Sequence, residues 1–282
     1  MDVQEENLRR APELIRATLS LLSQNGFGTE QEIEPALKRI RCTKSLVEAA
    51  SSADFVVEAV FENLELKQKT FQELDCICPP ETILASNTSV ISITEIAARS
   101  VHRERIVGTH FWNPPYLIPL VEVVRGKETS DHVMNATFAL LEEVGKHPVM
   151  VHKDVPGFVA NRLQHALWRE AISIVERGIA DAATVDECIR FGFGLRLPIL
   201  APLENSDMVG NALTLSIHSY ILKHLESSPD PSPLLKAKVQ RNELGFKTGK
   251  GFHEWTPEKV QQCRERLTRY LIQAVKKTQE VQ

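Results

Sequence analysis

Apolar positions in this chain follow two periods, and the change between them falls near Pro156-Gly157. Before that point, short aliphatic runs alternate with amphipathic stretches. Residues 53–60 and 82–86 are apolar runs too short for helices, and they predict buried strands. The runs on either side of Asn113-Pro114-Pro115, and the run 148–151, predict three more. Between them the period lengthens. Leu8, Leu14, Ile15, Leu19, Leu21 and Leu22 recur at helical spacing over 5–24, with Pro12 interrupting early. Thr29 reads as the N-cap of a second short helix, with Glu32 in the capping-box position. Residues 63–74 and 93–99 predict two further helices. Strands alternating with helices predict an α/β domain with a mostly parallel sheet.

After Pro156-Gly157 the periodic segments are all helical: 158–176, 184–190, 204–224, 232–240 and a long stretch from Pro257. Ser232-Pro233 and Thr256-Pro257 each offer a hydroxyl N-cap followed by proline at the first helical position. Residues 227–231 (Ser-Ser-Pro-Asp-Pro) predict a surface loop. The expected organisation is a sheet domain over 1–154 and an all-helical domain over 155–282.

The stretch 106–125 draws attention first. Its only histidine, His110, closes one aliphatic run, and its only carboxylate, Glu122, sits in the middle of the next. If the two runs lie side by side, the two side chains can meet. A carboxylate bonded to one ring nitrogen fixes the tautomer and supports an imidazolium on the other, which is what a general base needs. Taken alone, the pair reads first as a satisfied histidine and a solvated glutamate at a sheet end, and the rest of the chain reverses that order.

Composition narrows the classes without choosing among them. With 43% hydrophobic and 25% charged residues, and no apolar run long enough to span a bilayer, the chain reads as a cytoplasmic-type globular protein. A net charge of −4 with interspersed signs favours neither nucleic acid nor a membrane surface as partner. Cys42, Cys76, Cys78, Cys188 and Cys263 are odd in number and scattered, without zinc spacing, so buried free thiols and no metal are expected. The acidic start, Met-Asp-Val-Gln-Glu-Glu, has no leader-like apolar region.

Ligands of open parallel sheets bind outside the carboxyl ends of the strands. Three such ends here run into polar clusters: Phe61-Glu62-Asn63 with Lys67 a turn further on, Ser86-Asn87-Thr88-Ser89, and His110. Singly, each small polar residue is an ordinary helix cap. In series they point to one site.

These residues carry a resemblance. Glu62-Asn63-Leu64, Ser86-Asn87-Thr88-Ser89, His110-Phe111-Trp112-Asn113-Pro114, Leu120-Val121-Glu122-Val123 and the eight residues from Pro156 to Leu163 are similar, in order and spacing, to the L-3-hydroxyacyl-CoA dehydrogenase family. The likeness continues to Pro202-Leu203-Glu204 and to Lys247-Thr248-Gly249-Lys250-Gly251-Phe252, and so covers nearly the whole chain. The same superfamily holds carnitine dehydrogenase and the gulonate dehydrogenase that is also lambda-crystallin.

The resemblance implies NAD as cofactor and a 3-hydroxyacyl-CoA or similar 3-hydroxy acid as substrate. It implies that His110 takes the hydroxyl proton, that Glu122 orients and charges that histidine, that Ser89 contacts the substrate oxygen and nicotinamide, and that Asn161 helps place the substrate. Glu62, Lys67 and Asn87 match positions lining the crevice, and Asp2 matches the acid that would hold a ribose. Asn161 would bring the site to the domain junction, and a homodimer through the helical domain is implied, with the apolar face of 158–174 suited to it. Trp112, Trp168 and Trp255 read as packing residues, and 247–251 as a glycine-rich turn. Ala201 and Asn211-Ala212 depart from residues common in relatives.

One departure is larger. The family's Gly-x-Gly-x-x-Gly turn is absent from this chain, whose first glycine is Gly26. By analogy roughly the first thirty residues are missing, with the pyrophosphate turn and two central strands, so the Rossmann-like sheet is expected to be incomplete. A misplaced start or a fragment, a true short form that binds NAD poorly or not at all, and a non-catalytic acyl-CoA-binding or dimerising module all stand as readings.

Overall fold

The computed structural model of the chain describes residues 1–281. Five strands lie side by side in chain order: β1 (Phe55–Glu58), β2 (Ile83–Ser86), β3 (Ile106–Phe111), β4 (Leu120–Val124) and β5 (His147–Val151). The first three run parallel, β4 is antiparallel to β3, and β5 is parallel to β4. The one antiparallel ladder has a plain cause. A parallel crossover needs a dozen or more residues, usually a helix, and the proline-broken link between β3 and β4 is too short to supply one.

Helices α1 (Glu5–Gln24), α2 (Ile33–Lys38), α3 (Leu46–Ala50), α4 (Leu64–Ile77), α5 (Ile93–Ile96) and α6 (Asp131–Glu143) accompany the strands. Each of α3, α4, α5 and α6 starts at a side-chain cap: Ser45, Asn63, Ser92 and Ser130 accept from Glu48, Leu66, Glu95 and Val133 amides. A cap of this kind contributes about 1 kcal/mol. Glu32 accepts from the Thr29 amide at 2.8 Å, as the capping-box reading expects. Helices α3 and α6 were not anticipated from the apolar period, although α6 carries Val133, Met134, Thr137 and Leu141 on one buried stripe.

Val57 of β1 is exposed, but both faces of β2, β3 and β4 are covered, which is why these strands read as continuous apolar runs. Alternation divides them. Leu84, Ile106 and Val124 pack with Phe71 and Leu74 of α4 and Ile93 and Ile96 of α5. Ile83, Ala85, Val107, Val121 and Val123 pack with Val133, Met134 and Leu141 of α6. Gly108 sits in the middle of β3 where no side chain fits. A Cβ there would lie 2.7 Å from Ile93 Cδ1 and 2.9 Å from Val124 Cβ. Gly108→Ala is therefore expected to destabilise by about 1–3 kcal/mol through overpacking. A lower urea midpoint at unchanged slope is the predicted result; an unchanged midpoint would mean that Ile93 yields without cost.

The chain divides into two compact units, one made of Met1–Asn161 with the stretch from Arg269, the other of Arg162–Thr268. The division falls after Asn161, within the first turn of α7 (Ala160–Glu176), because the start of that helix bonds to β4 and to the turn after β2. The second unit is helical, as expected, with α8 (Ala182–Phe191), α9 (Pro202–Val209), α10 (Asn211–Ile221), α11 (Pro233–Gln240) and part of α12 (Pro257–Val281). The helix expected over 204–224 is broken at Gly210, whose φ of +97° ends α9 and starts α10. Ser232 caps α11 as predicted, accepting from the Leu235 amide. The segment 245–254 closes on itself through bridges from Lys250 to Gly245 and Glu254, a turn rather than a phosphate loop. All five cysteines are free, but only Cys78 is buried; Cys42, Cys76 and Cys188 are exposed, contrary to the expectation of buried thiols.

Candidate active site

His110 and Glu122 are register partners across the β3–β4 ladder. The antiparallel turn brings the late part of β3 and the early part of β4 to the same end of the sheet as the carboxyl ends of β1 and β2. His110 Nδ1 lies 2.8 Å from Glu122 Oε2, and both side chains are buried. Trp112 Nε1 donates to the same oxygen at 3.4 Å. The other carboxylate oxygen, Oε1, accepts the backbone amides of Val159 and Ala160 at 2.9 and 3.0 Å.

Those two amides are presented by an unusual turn. Gly157 has a φ of +75° and Phe158 one of +49°, the left-handed region that costs a side-chain-bearing residue about 1–2 kcal/mol. The burial of the Phe158 ring, 1% exposed, offsets that strain. Its ring centre stands 5.8 Å from that of His110, and Trp112 stands 5.3 Å away. The imidazole thus has two aromatic neighbours, with Nε2 as the nitrogen not committed to Glu122. Burial pushes the Glu122 carboxyl up, but the His110 hydrogen bond and the Ala160 and Val159 amides outweigh it and hold the group below its ordinary range. A carboxylate fixed in this way selects the imidazole tautomer with hydrogen on Nδ1 and leaves Nε2 to accept a proton.

Of the remaining expected residues, Glu62, Lys67, Asn87, Ser89 and Asn161 gather around the ends of β1 and β2. Asn87 Oδ1 accepts the Phe111 amide at 3.1 Å, tying the end of β2 to β3 beside His110. Ser89 is exposed, and its carbonyl accepts from Asn161 Nδ2 at 2.8 Å. Asn161, which is buried, therefore holds the Ser89 backbone. Glu62 is partly exposed, and its Oε1 accepts the Thr88 hydroxyl and the amides of Ser89 and Val90 at 3.1 and 3.2 Å. Burial raises its carboxyl, while Thr88, Val90, the Lys67 charge and Ser89 together bring it below the ordinary value.

Lys67, read from the sequence as lining the crevice, has its amine wholly enclosed between Glu58 and Glu62. Asp2 stands just before α1. Its carboxylate is engaged by its own helix start, accepting from the Gln4 amide at 2.8 Å and Asn7 Nδ2 at 3.0 Å.

Sequence reasoning missed several participants. Glu58 was absorbed into an apolar run. Trp112 was assigned to packing and instead touches the dyad. The amides of Val159 and Ala160 have no side-chain signal, although Pro156-Gly157 marks the turn that aims them.

Known proteins match this chain over most of its length. The family model described as 3-hydroxyacyl-CoA dehydrogenase, NAD binding domain, matches residues 1–155 from the first residue onward. That of the 3-hydroxyacyl-CoA dehydrogenase C-terminal domain matches 157–255. A 5-formyl-3-hydroxy-2-methylpyridine 4-carboxylate 5-dehydrogenase of Mesorhizobium japonicum is 33% identical over 271 residues, 96% of this chain and 87% of its own length. A probable 3-hydroxybutyryl-CoA dehydrogenase of Bacillus subtilis is 39% identical over 255 residues, 90% of this chain and 87% of its own. Among solved structures, an NAD+-dependent dismutase, the 5-formyl-3-hydroxy-2-methylpyridine 4-carboxylic acid 5-dehydrogenase, superposes with a TM-score of 0.89 at 32% identity. That superposition covers 99% of this chain and 89% of the other.

Proposed function

This chain belongs to the 3-hydroxyacyl-CoA dehydrogenase family as one of its NAD-dependent dehydrogenases, and we propose that it oxidises the secondary alcohol of a 3-hydroxyacyl-CoA or a similar 3-hydroxy acid. The observation that carries the reading is the buried His110–Glu122 pair, with its carboxylate locked by two backbone amides.

The residues at the strand ends fit the nicotinamide-bearing half of NAD. Glu62 is a partly exposed, ionised acceptor for hydroxyl groups, the Asn87 amide nitrogen is a donor, and the Ser89 hydroxyl is exposed. For the pyrophosphate the chain offers no Gly-x-Gly-x-x-Gly turn. When bound, NAD supplies the hydride acceptor. The rest is the work of the chain's own side chains. His110 receives the hydroxyl proton at Nε2, because Nδ1 is committed to Glu122. The buried negative charge of Glu122 supports the imidazolium as it forms. Trp112 and Phe158 pack against the ring as tilted aromatic neighbours. Asn161 holds the Ser89 turn from which the hydroxyl contacts the substrate oxygen.

The Mesorhizobium likeness, nearly end to end, favours a second substrate reading, an aromatic formyl compound. A hydrated aldehyde presents the same carbon-bound hydride and hydroxyl proton to the same base. The test is NADH formation by the purified chain with 3-hydroxybutyryl-CoA and, separately, with a formylpyridine carboxylate. Saturable turnover of the thioester alone supports the first reading, and turnover of the pyridine alone supports the second. Failure of both, without NAD binding, would leave the non-catalytic module.

We also propose that a second copy of the chain covers the helical unit. No apolar side chain between 162 and 268 is fully buried, and Leu203, Leu215 and Tyr220 on α9 and α10 are each more than two-thirds exposed. Leu163 and Trp168 on α7 add to this surface. Sedimentation should give a dimer that Leu215→Glu weakens; a monomer at micromolar concentration would contradict it.

A further inference from the structure

The end of β1 holds a second buried ion pair that proton transfer at His110 does not use. Glu58 and Lys67 are both enclosed, with Lys67 Nζ 2.8 and 3.2 Å from the two Glu58 oxygens. Glu58 is saturated: Oε1 also accepts the Val60 amide at 2.6 Å, and Oε2 accepts the Ser86 hydroxyl at 2.7 Å. On its far side the ammonium lies 3.3 Å from the Val60 carbonyl and 3.5 Å from Glu62 Oε2. A continuous chain of contacts therefore runs from Ser86 through Glu58 and Lys67 to Glu62. From Glu62 it passes to the amides of Ser89 and Val90, and from the Ser89 carbonyl to Asn161.

Stability alone does not account for such a pair. Desolvating two charges costs about as much as their attraction returns, and well-packed apolar residues of similar size are often as stable. What a saturated pair does provide is position. Lys67 is a flexible side chain, and the two Glu58 oxygens and the Val60 carbonyl hold its nitrogen at one point. Glu62 is partly exposed and is held at Oε1 by Thr88 and two amides, and Lys67 adds the contact that fixes its other oxygen, Oε2.

We propose that Glu58 is a positioning residue for cofactor binding: through Lys67 it fixes Glu62, and with it the Ser89 turn, at the carboxyl ends of β1 and β2. The proposal rests on the NAD reading above and adds to it a residue that never touches the cofactor. The competing view is a structural rivet that joins β1, β2 and α4 and does nothing else.

Three variants of the full chain separate the two views: Glu58→Gln, Lys67→Met, and both together. Each is measured for melting temperature, for kcat and KM with NAD as the varied substrate, and for NAD affinity by calorimetry. Glu58→Gln should raise the KM and Kd for NAD by about tenfold, the worth of a lost charge-assisted hydrogen bond, with kcat within about threefold. The double variant leaves no buried charge unpaired, so its melting temperature should return towards that of the unmutated chain while the NAD KM stays raised. Recovery of KM together with melting temperature, or an unchanged KM in Glu58→Gln, would overturn the proposal. If the single variants do not fold, the double variant decides alone. Calorimetry keeps the two readings apart. An unmutated chain that binds NAD without turnover refutes the proposed substrate while the Glu58 contrast is still read, and one that binds no NAD overturns both.

Discussion

Replacement of His110 by Gln is expected to lower kcat by about 10²–10⁴-fold, the usual contribution of a positioned proton acceptor. Glutamine is the informative choice. Its amide nitrogen is a donor that Glu122 Oε2 can accept, so the buried carboxylate keeps a partner and the strand ladder is undisturbed. What is lost is the nitrogen that receives the proton. The NAD Kd should therefore stay within about threefold of the unmutated value, because the imidazole is not among the groups assigned to the cofactor. NADH formation at saturating substrate, read beside a calorimetric titration, checks both halves. A variant that kept more than a tenth of the turnover would place the base elsewhere.

Glu122→Gln is expected to cost a similar factor, about 10²–10⁴ in kcat at neutral pH, for a different reason. The amide oxygen can go on accepting from Val159 and Ala160, so the start of α7 is kept. The amide nitrogen then faces His110 Nδ1 and must donate, which makes Nδ1 the acceptor and moves the ring hydrogen to Nε2. The histidine is present but holds its proton on the wrong atom. Glu122→Ala should also damage the fold, because each buried donor left without a partner costs about 1–3 kcal/mol.

The pH dependence of stability separates the charge from the shape. The folded Glu122 carboxyl lies below its ordinary value, so it contributes stability that is present above the unfolded value of about 4.3. That contribution is lost as the pH falls through the lower, folded value. Glu122→Gln should therefore lose less stability than the unmutated chain between pH about 5 and the acid transition, in denaturant titrations repeated across that range. Parallel curves would mean that the buried carboxylate carries no such linkage.

Much of this arrangement is legible in the sequence, and for identifiable reasons. Aliphatic runs too short for helices marked the strands, and the proline-broken link between two of them left the chain no room for a crossover. His110 and Glu122 consequently face each other. Ser232 and Asn63 cap helices where the pattern placed them. Other features had no comparable signal. Lys67 stands on an amphipathic, charged helix, where burial of an amine is invisible until Glu58 is known to meet it. Glu58 itself hid at the end of an apolar run. The donors that lock Glu122 are backbone amides, which every residue carries. Gly210 interrupted a helix whose apolar period ran through it, because the period records which face is buried and not where the backbone turns. Helix α6 could have been found from Ser130 and the stripe that follows it.

The most direct test is NADH formation on mixing the unmutated chain with NAD and 3-hydroxybutyryl-CoA, followed beside His110→Gln under the same conditions. The predicted result is saturable NADH production by the unmutated chain that falls by at least about 10² in the variant. Production at equal rates in the two, or none from the unmutated chain with either the thioester or a formylpyridine carboxylate, would contradict the assignment of His110 as the base of a dehydrogenase.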